Sequence, residues 1–121
     1  MKGLLFVAHG SRREESNQEF EEMVSHLSVT LGLAYEKIEA SFLEFAKPGI
    51  DEALHAMIHE GMIEIQIYPF FLNSGKHVHH DIPEKICEVK ELYPAVEITL
   101  LPHFGSSEHI LSVIISDLKE Q

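Results

Sequence analysis

A chain of 121 residues that is 45 % apolar is long enough to enclose a hydrophobic core and too rich in apolar side chains to be disordered. Its net charge of −11, with nine histidines counted as neutral, is spread over both halves and leaves no basic face for a phosphate backbone, so no nucleic-acid partner is expected. The apolar runs have strand length, far below the ~20 residues of a membrane span, so no membrane partner is expected either.

Residues 3–8, Gly-Leu-Leu-Phe-Val-Ala, form a continuous apolar run, the pattern of a strand buried on both faces. The turn His9-Gly10-Ser11-Arg12 follows, in place of a signal-peptide cleavage site. Phe20, Met23, Val24, Leu27 and Leu31 then recur at helical spacing, which predicts a helix over about residues 14–31 stopped by Gly32. Residues 38–45 alternate and predict a second strand that ends near Glu44. Pro48 and Asp51-Glu52 suit the first turn of a helix with Ile50, Ala53, Leu54, Met57 and Ile58 on its core face and Gly61 at its end.

Residues 63–72 predict a third strand, opening into a polar loop that holds His77, His79 and His80. Asp81 with Glu84 reads as a capping box, starting a helix striped by Ile82, Ile86, Val89 and Tyr93 and ended by Pro94. Residues 96–101 predict strand four, and after Pro102-His103-Phe104-Gly105 a last helix is expected over about residues 106–119. Its Ile110, Leu111, Val113, Ile114, Ile115 and Leu118 are apolar around more than one face, consistent with extra burial at an interface.

Strands and helices alternating four times predict one α/β domain over residues 1–121, a four-stranded parallel sheet with helices on both faces. Parallel strands end on one edge, so His9, Glu44, the His77 loop and His103 are expected to converge where such sheets carry their chemistry. Plainer readings stand beside this one. His9-Gly10 also suits a simple turn, Glu44 is either a cap or a cleft carboxylate, and His103 either a pocket wall or a ligand. His55 and His59 share a helix face but lack the intervening Glu of zinc proteases, and with His26 and His109 they read as surface groups. The lone Cys87 reads as packing beside the core stripe and fits a reducing compartment, hence a cytoplasmic location. Histidine phosphatases carry an arginine before their His-Gly pair where this chain has Ala8, and no Gly-x-Ser-x-Gly turn supports a serine hydrolase.

The strand with its His-Gly-Ser-Arg turn, Phe-Leu-Glu-Phe-x-x-Pro after strand two, and Pro-Phe-Phe-Leu-x-x-Gly-x-His-x-x-x-Asp-Ile-Pro together resemble the small sirohydrochlorin chelatases of CbiX/SirB type. The resemblance covers nearly the whole chain. It implies the three-layer chelatase fold and a lyase that inserts a divalent metal into sirohydrochlorin, on the way to cobalamin or sirohaem. That metal, Co²⁺ or Fe²⁺ and in some members Ni²⁺, is a substrate, and no organic cofactor is implied. The family's two active-site histidines fall on His9 and His77, and its carboxylate matches Glu44. These three are therefore the expected metal ligands, with the two imidazoles as proton acceptors. Larger members carry two such halves in one chain, so a homodimer is implied here. A carboxylate-rich macrocycle facing this acidic protein would need local donors, expected at Ser11, Arg12, Asn73, Ser74, Gly75 and Lys76. The rival readings are a protohaem chelatase, a histidine-based metal carrier without catalysis, and an inactive dimerising module.

Overall fold

The structure, a computed structural model, describes residues 1–120, and His77 by its backbone alone. Its elements in order are β1 (Lys2–Ala8), α1 (Glu14–Leu31), β2 (Lys37–Phe42), α2 (Ile50–His59), β3 (Glu64–Pro69), α3 (Ile82–Leu92), β4 (Glu97–Leu100) and α4 (Ile110–Lys119). The four strands form one parallel sheet in the order β2-β1-β3-β4.

β1 is an inner strand, which is why its sequence is apolar without alternation. Side chains alternate across a strand, so Leu4 and Phe6 face one way and Leu5 and Val7 the other. Leu4 and Phe6 join Phe42 and the α1 residues Phe20 and Val24 in one cluster. Leu5 and Val7 join a second cluster with Leu54 and Met57 of α2 and Ile82, Ile86 and Val89 of α3. Each fully buried Leu, Met or Ile stabilises this second face by roughly 1.5–3 kcal/mol.

α2 begins where its sequence indicates. Gly49 N–H donates to Glu52 Oε1 (3.1 Å), so a first-turn carboxylate satisfies one backbone donor that the helix leaves open. Four expectations are corrected. Asp81 does not cap a helix: its own φ of −65° and ψ of −45° are helical, whereas a cap requires extended backbone. A π-helical turn, His77–Asp81, already runs into α3, so the three histidines belong to a helical turn. Cys87 is exposed on α3.

The fourth correction concerns α4. A short 3₁₀ turn, Phe104–Ser106, takes up the residues expected to begin this helix. None of its residues is buried. One face of the sheet is thus covered by α2 and α3, and the other by α1 alone among the described helices. No described helix is long and apolar enough to cross a membrane.

Candidate active site

β1 and β2 lie side by side in register up to Ala8 and Phe42. Their hydrogen bonding continues beyond the strands, with Leu43 N–H donating to Ala8 O (3.0 Å) and Glu44 N–H to His9 O (2.9 Å). Residues 9 and 44 are therefore placed side by side by the backbone. Their side chains meet at the carboxyl edge, His9 Nε2 lying 3.1 Å from Glu44 Oε2. Gly10 allows the approach. Its φ is +94°, and a Cβ there would fall 1.8 Å from the Glu44 carbonyl oxygen.

The other nitrogen of His9, Nδ1, lies 3.1 Å from Gly10 O. A carbonyl oxygen only accepts, so this contact is a hydrogen bond in the tautomer that carries its proton on Nδ1. A carboxylate also only accepts, so in that tautomer the space between Nε2 and Glu44 suits a cation. The pair thus offers one position that either a proton or a metal ion can fill.

Two further residues, neither singled out in the sequence, complete this corner. Asn17 on α1 is buried. Its Oδ1 accepts from Ser11 N–H (2.9 Å) and its Nδ2 donates to Ser11 O (2.8 Å), which clamps the His9 turn to the helix. Phe45, with a φ of 65°, projects an exposed ring whose centroid is 6.1 Å from that of His9. The Arg12 guanidinium lies over the same ring, 4.8 Å from its centre. The sequence hints at both: a polar residue within an apolar stripe for Asn17, and an aromatic beside a carboxylate at a strand end for Phe45.

The remaining candidates are distributed as follows. Ser11 belongs to the same turn, its Oγ accepting from Arg13 N–H (3.0 Å). Asn73, Ser74, Gly75 and Lys76 lie in the exposed stretch between β3 and the π-helical turn, which is tied back where His79 N–H donates to Gly75 O (2.9 Å). The His77 side chain lies outside the described residues. The far end of its turn reaches the β2 side, where Leu43, Glu44, Asp81, Glu84 and Lys85 line a cleft of about 170 Å³. His80 turns to the carboxylates of its own helix, Nδ1 lying 3.2 Å from Asp81 Oδ1 and 3.5 Å from Glu84 Oε2. His103 follows β4, an edge strand separated from β1 by β3. His55 is half-buried against α3, its Nδ1 3.1 Å from the Tyr93 hydroxyl. Among the described residues no three His, Cys, Asp or Glu side chains gather within reach of one ion.

The CbiX family model matches residues 3–121. The chain belongs to the CbiX family. A sirohydrochlorin ferrochelatase of Priestia megaterium is 34 % identical to this CbiX chain over 120 residues, 99 % of this chain and 44 % of its own length. A sirohydrochlorin cobaltochelatase of Saccharolobus solfataricus is 29 % identical over 126 residues, 99 % of this chain and 95 % of the relative. Among solved structures, the sirohydrochlorin chelatase SirB of Bacillus subtilis subspecies spizizenii, in complex with cobalt, matches with a TM-score of 0.88 at 28 % identity. That match covers 98 % of this chain and 50 % of SirB. This CbiX chain therefore spans about half the length of SirB and less than half that of the ferrochelatase.

Proposed function

We propose that this CbiX chain is a sirohydrochlorin chelatase, a single domain that forms one lobe of a cytoplasmic homodimer and inserts Co²⁺ or Fe²⁺, with Ni²⁺ a further candidate. The observation that carries the reading is the His9–Glu44 pair at the carboxyl edge, 3.1 Å between Nε2 and Oε2. Two donor atoms on adjacent corners of an octahedron with ~2.1 Å bonds stand about 3.0 Å apart, so the spacing suits a shared divalent ion. His77 is the third ligand in this reading. Two imidazoles and one carboxylate leave positions open for water and for the incoming macrocycle nitrogens.

Insertion replaces the two N–H protons of the macrocycle by the ion. As the pyrrole nitrogens take the metal, His9 Nε2 is released and accepts one proton, which it then directs at Glu44. His77 accepts the other. Phe45 beside His9 offers an apolar face for the macrocycle, and Arg12, held over that ring, offers a cation to its carboxylates. Ser11, Asn73, Ser74, Gly75 and Lys76 are proposed as further contacts to the rim.

An anaerobic visible-absorbance assay with sirohydrochlorin and Co²⁺ or Fe²⁺ tests the reading. The wild type forms the metallated spectrum faster than the spontaneous rate, and His9→Ala, His77→Ala and Glu44→Gln each slow it at least about 100-fold, the usual scale for a lost acid–base group. A wild type no faster than the protein-free control, yet still binding the metal, would replace this function with that of a metal carrier.

A further inference from the structure

α2 carries two imidazoles that the chemistry of the sheet edge does not use. His55 and His59 stand one turn apart, the i, i+4 spacing that sets two side chains on one helix face, about 5–6 Å apart at Cβ. Neither belongs to the core face, where Ala53, Leu54 and Met57 are buried. Tyr93, the residue that ends α3, packs against the closed core and meets both histidines. Its ring centroid is 5.4 Å from that of His55 and 6.4 Å from that of His59, with interplanar angles of 71° and 79°. Each imidazole thus stands nearly perpendicular to the same phenol.

We propose that His55 and His59 form a second metal site, separate from the His9–Glu44 corner, that takes a late first-row divalent ion such as Ni²⁺, Co²⁺ or Zn²⁺. Histidines four apart on a helix have the ligand spacing of helical zinc sites, and imidazole suits these ions. The support for one ligand is already built. His55 Nδ1 lies 3.1 Å from the Tyr93 hydroxyl. With its proton on Nδ1, the ring donates to that oxygen and keeps a lone pair on Nε2 in a fixed direction. An oxygen that holds the far nitrogen in this way is the usual partner of a metal-bound histidine. Nε2 of His55 and both nitrogens of His59 have no hydrogen-bond partner among the described residues. Among those residues no third His, Cys, Asp or Glu joins the pair, so water fills the remaining positions and the ion exchanges readily.

The site lies at the far end of the domain from the His9–Glu44 corner. α2 starts after Gly49, which is bridged to Phe42 at the carboxyl end of β2. At 1.5 Å per residue, His59 is about 15 Å further along the helix axis. Beyond it the chain reaches the opposite edge of the sheet, where Ile63 N–H donates to Met1 O (3.0 Å). An ion on His55 and His59 is therefore not the one held between His9 and Glu44. The charge of −11 draws cations to the whole surface, and the pair gives one of them a defined seat. Because the unfolded chain does not hold the two imidazoles in register, the ion stabilises the folded one.

Titration with Ni²⁺ alone decides it, in the full chain carrying His9→Ala, Glu44→Gln and His77→Ala so that the candidate ligands of the edge are gone. This background retains one Ni²⁺ per chain in equilibrium dialysis, and saturating Ni²⁺ raises its melting temperature. Tyr93→Phe keeps the ring and loses only the hydroxyl, and it weakens that binding about 10–100-fold, the scale on which such supporting oxygens act. Adding His55→Ala or His59→Ala removes a ligand outright, weakens binding by more than about tenfold and abolishes the thermal shift. Circular dichroism stays that of the folded sheet, because neither imidazole is buried. His79→Gln with His80→Gln in the same background leaves the retained ion in place. A background that keeps no ion, an ion held undiminished without His55 and His59, or one lost with His79 and His80 instead overturns the site. No macrocycle enters the measurement, so its outcome is separate from that of the proposed function.

Discussion

The two faces of the sheet carry helices of similar apolar patterning and end up differently. On one face α2 and α3 close over Leu5, Val7, Ile65 and Ile67, all essentially inaccessible. On the other, α1 covers Leu4, Phe6 and Phe42 and leaves a groove open beside it. An apolar stripe states that a helix is to be covered. It does not state by which chain. The closed face belongs to the stability of a single copy, while the open one leaves an apolar groove uncovered.

The largest expected effect sharpens that contrast. Leu54→Ala, in the closed face, lowers unfolding free energy by about 2–5 kcal/mol, and by the same amount at every protein concentration. Ile114→Ala, on α4, instead weakens the proposed association, so its denaturation midpoint depends less on protein concentration than the wild type's. Denaturant titrations at two concentrations a hundredfold apart separate the two. Equal concentration dependence in both variants would break the distinction between the faces.

An intermediate effect is expected at Asn17, which ties the open-face helix to the His9 turn. Asn17→Ala leaves Ser11 N–H and Ser11 O without their side-chain partners and costs about 1–3 kcal/mol. Because the clamp positions the His9 turn, the proposed metal insertion also falls in this variant while the oligomeric state does not change. Activity retained at a destabilised midpoint would assign Asn17 to stability alone.

The smallest effect lies at the edge strand. Lys37 Nζ pairs with Glu39 (3.2 Å) and Glu60 (3.1 Å), and hydrogen bonding first to Glu60 and then to Glu39 raises its pKa above 10.5. A raised folded value means that the contribution is fully present below pH 10.5 and is lost as pH climbs through the folded pKa. Lys37→Gln therefore costs under about 1 kcal/mol at neutral pH, as partly exposed pairs do, and nothing once Lys37 is deprotonated in both states. A cost that grew with pH would reverse the sign of the argument.

Much of this architecture was legible because local and global signals agree. β1 reads as buried on both faces and is an inner strand; α1 keeps its spacing and its bounds. The adjacency of His9 and Glu44 was readable only as far as the shared edge, since their contact depends on backbone bonding beyond the strand ends. Phe45 was masked by its apparent strand pattern: β2 stops at Phe42, and the following backbone turns left-handed to present the ring. Three histidines in succession looked like a loop, because a π-helical turn has no period of its own to recognise. α4 was read as apolar around more than one face, and its apolar side chains are exposed in the single chain.

Gly105 joins two parts of the molecule that the chain order keeps apart. Its backbone lies against Leu72 and hydrogen-bonds to Phe71, at the root of the loop that leads to His77. The pivot of the last helix and the base of that loop thus form a single joint with no slack between them. A change in the angle at which α4 leaves the body therefore reaches the loop as a displacement of its anchor, so the exit of the last helix and the approach to His77 are set by one fastening.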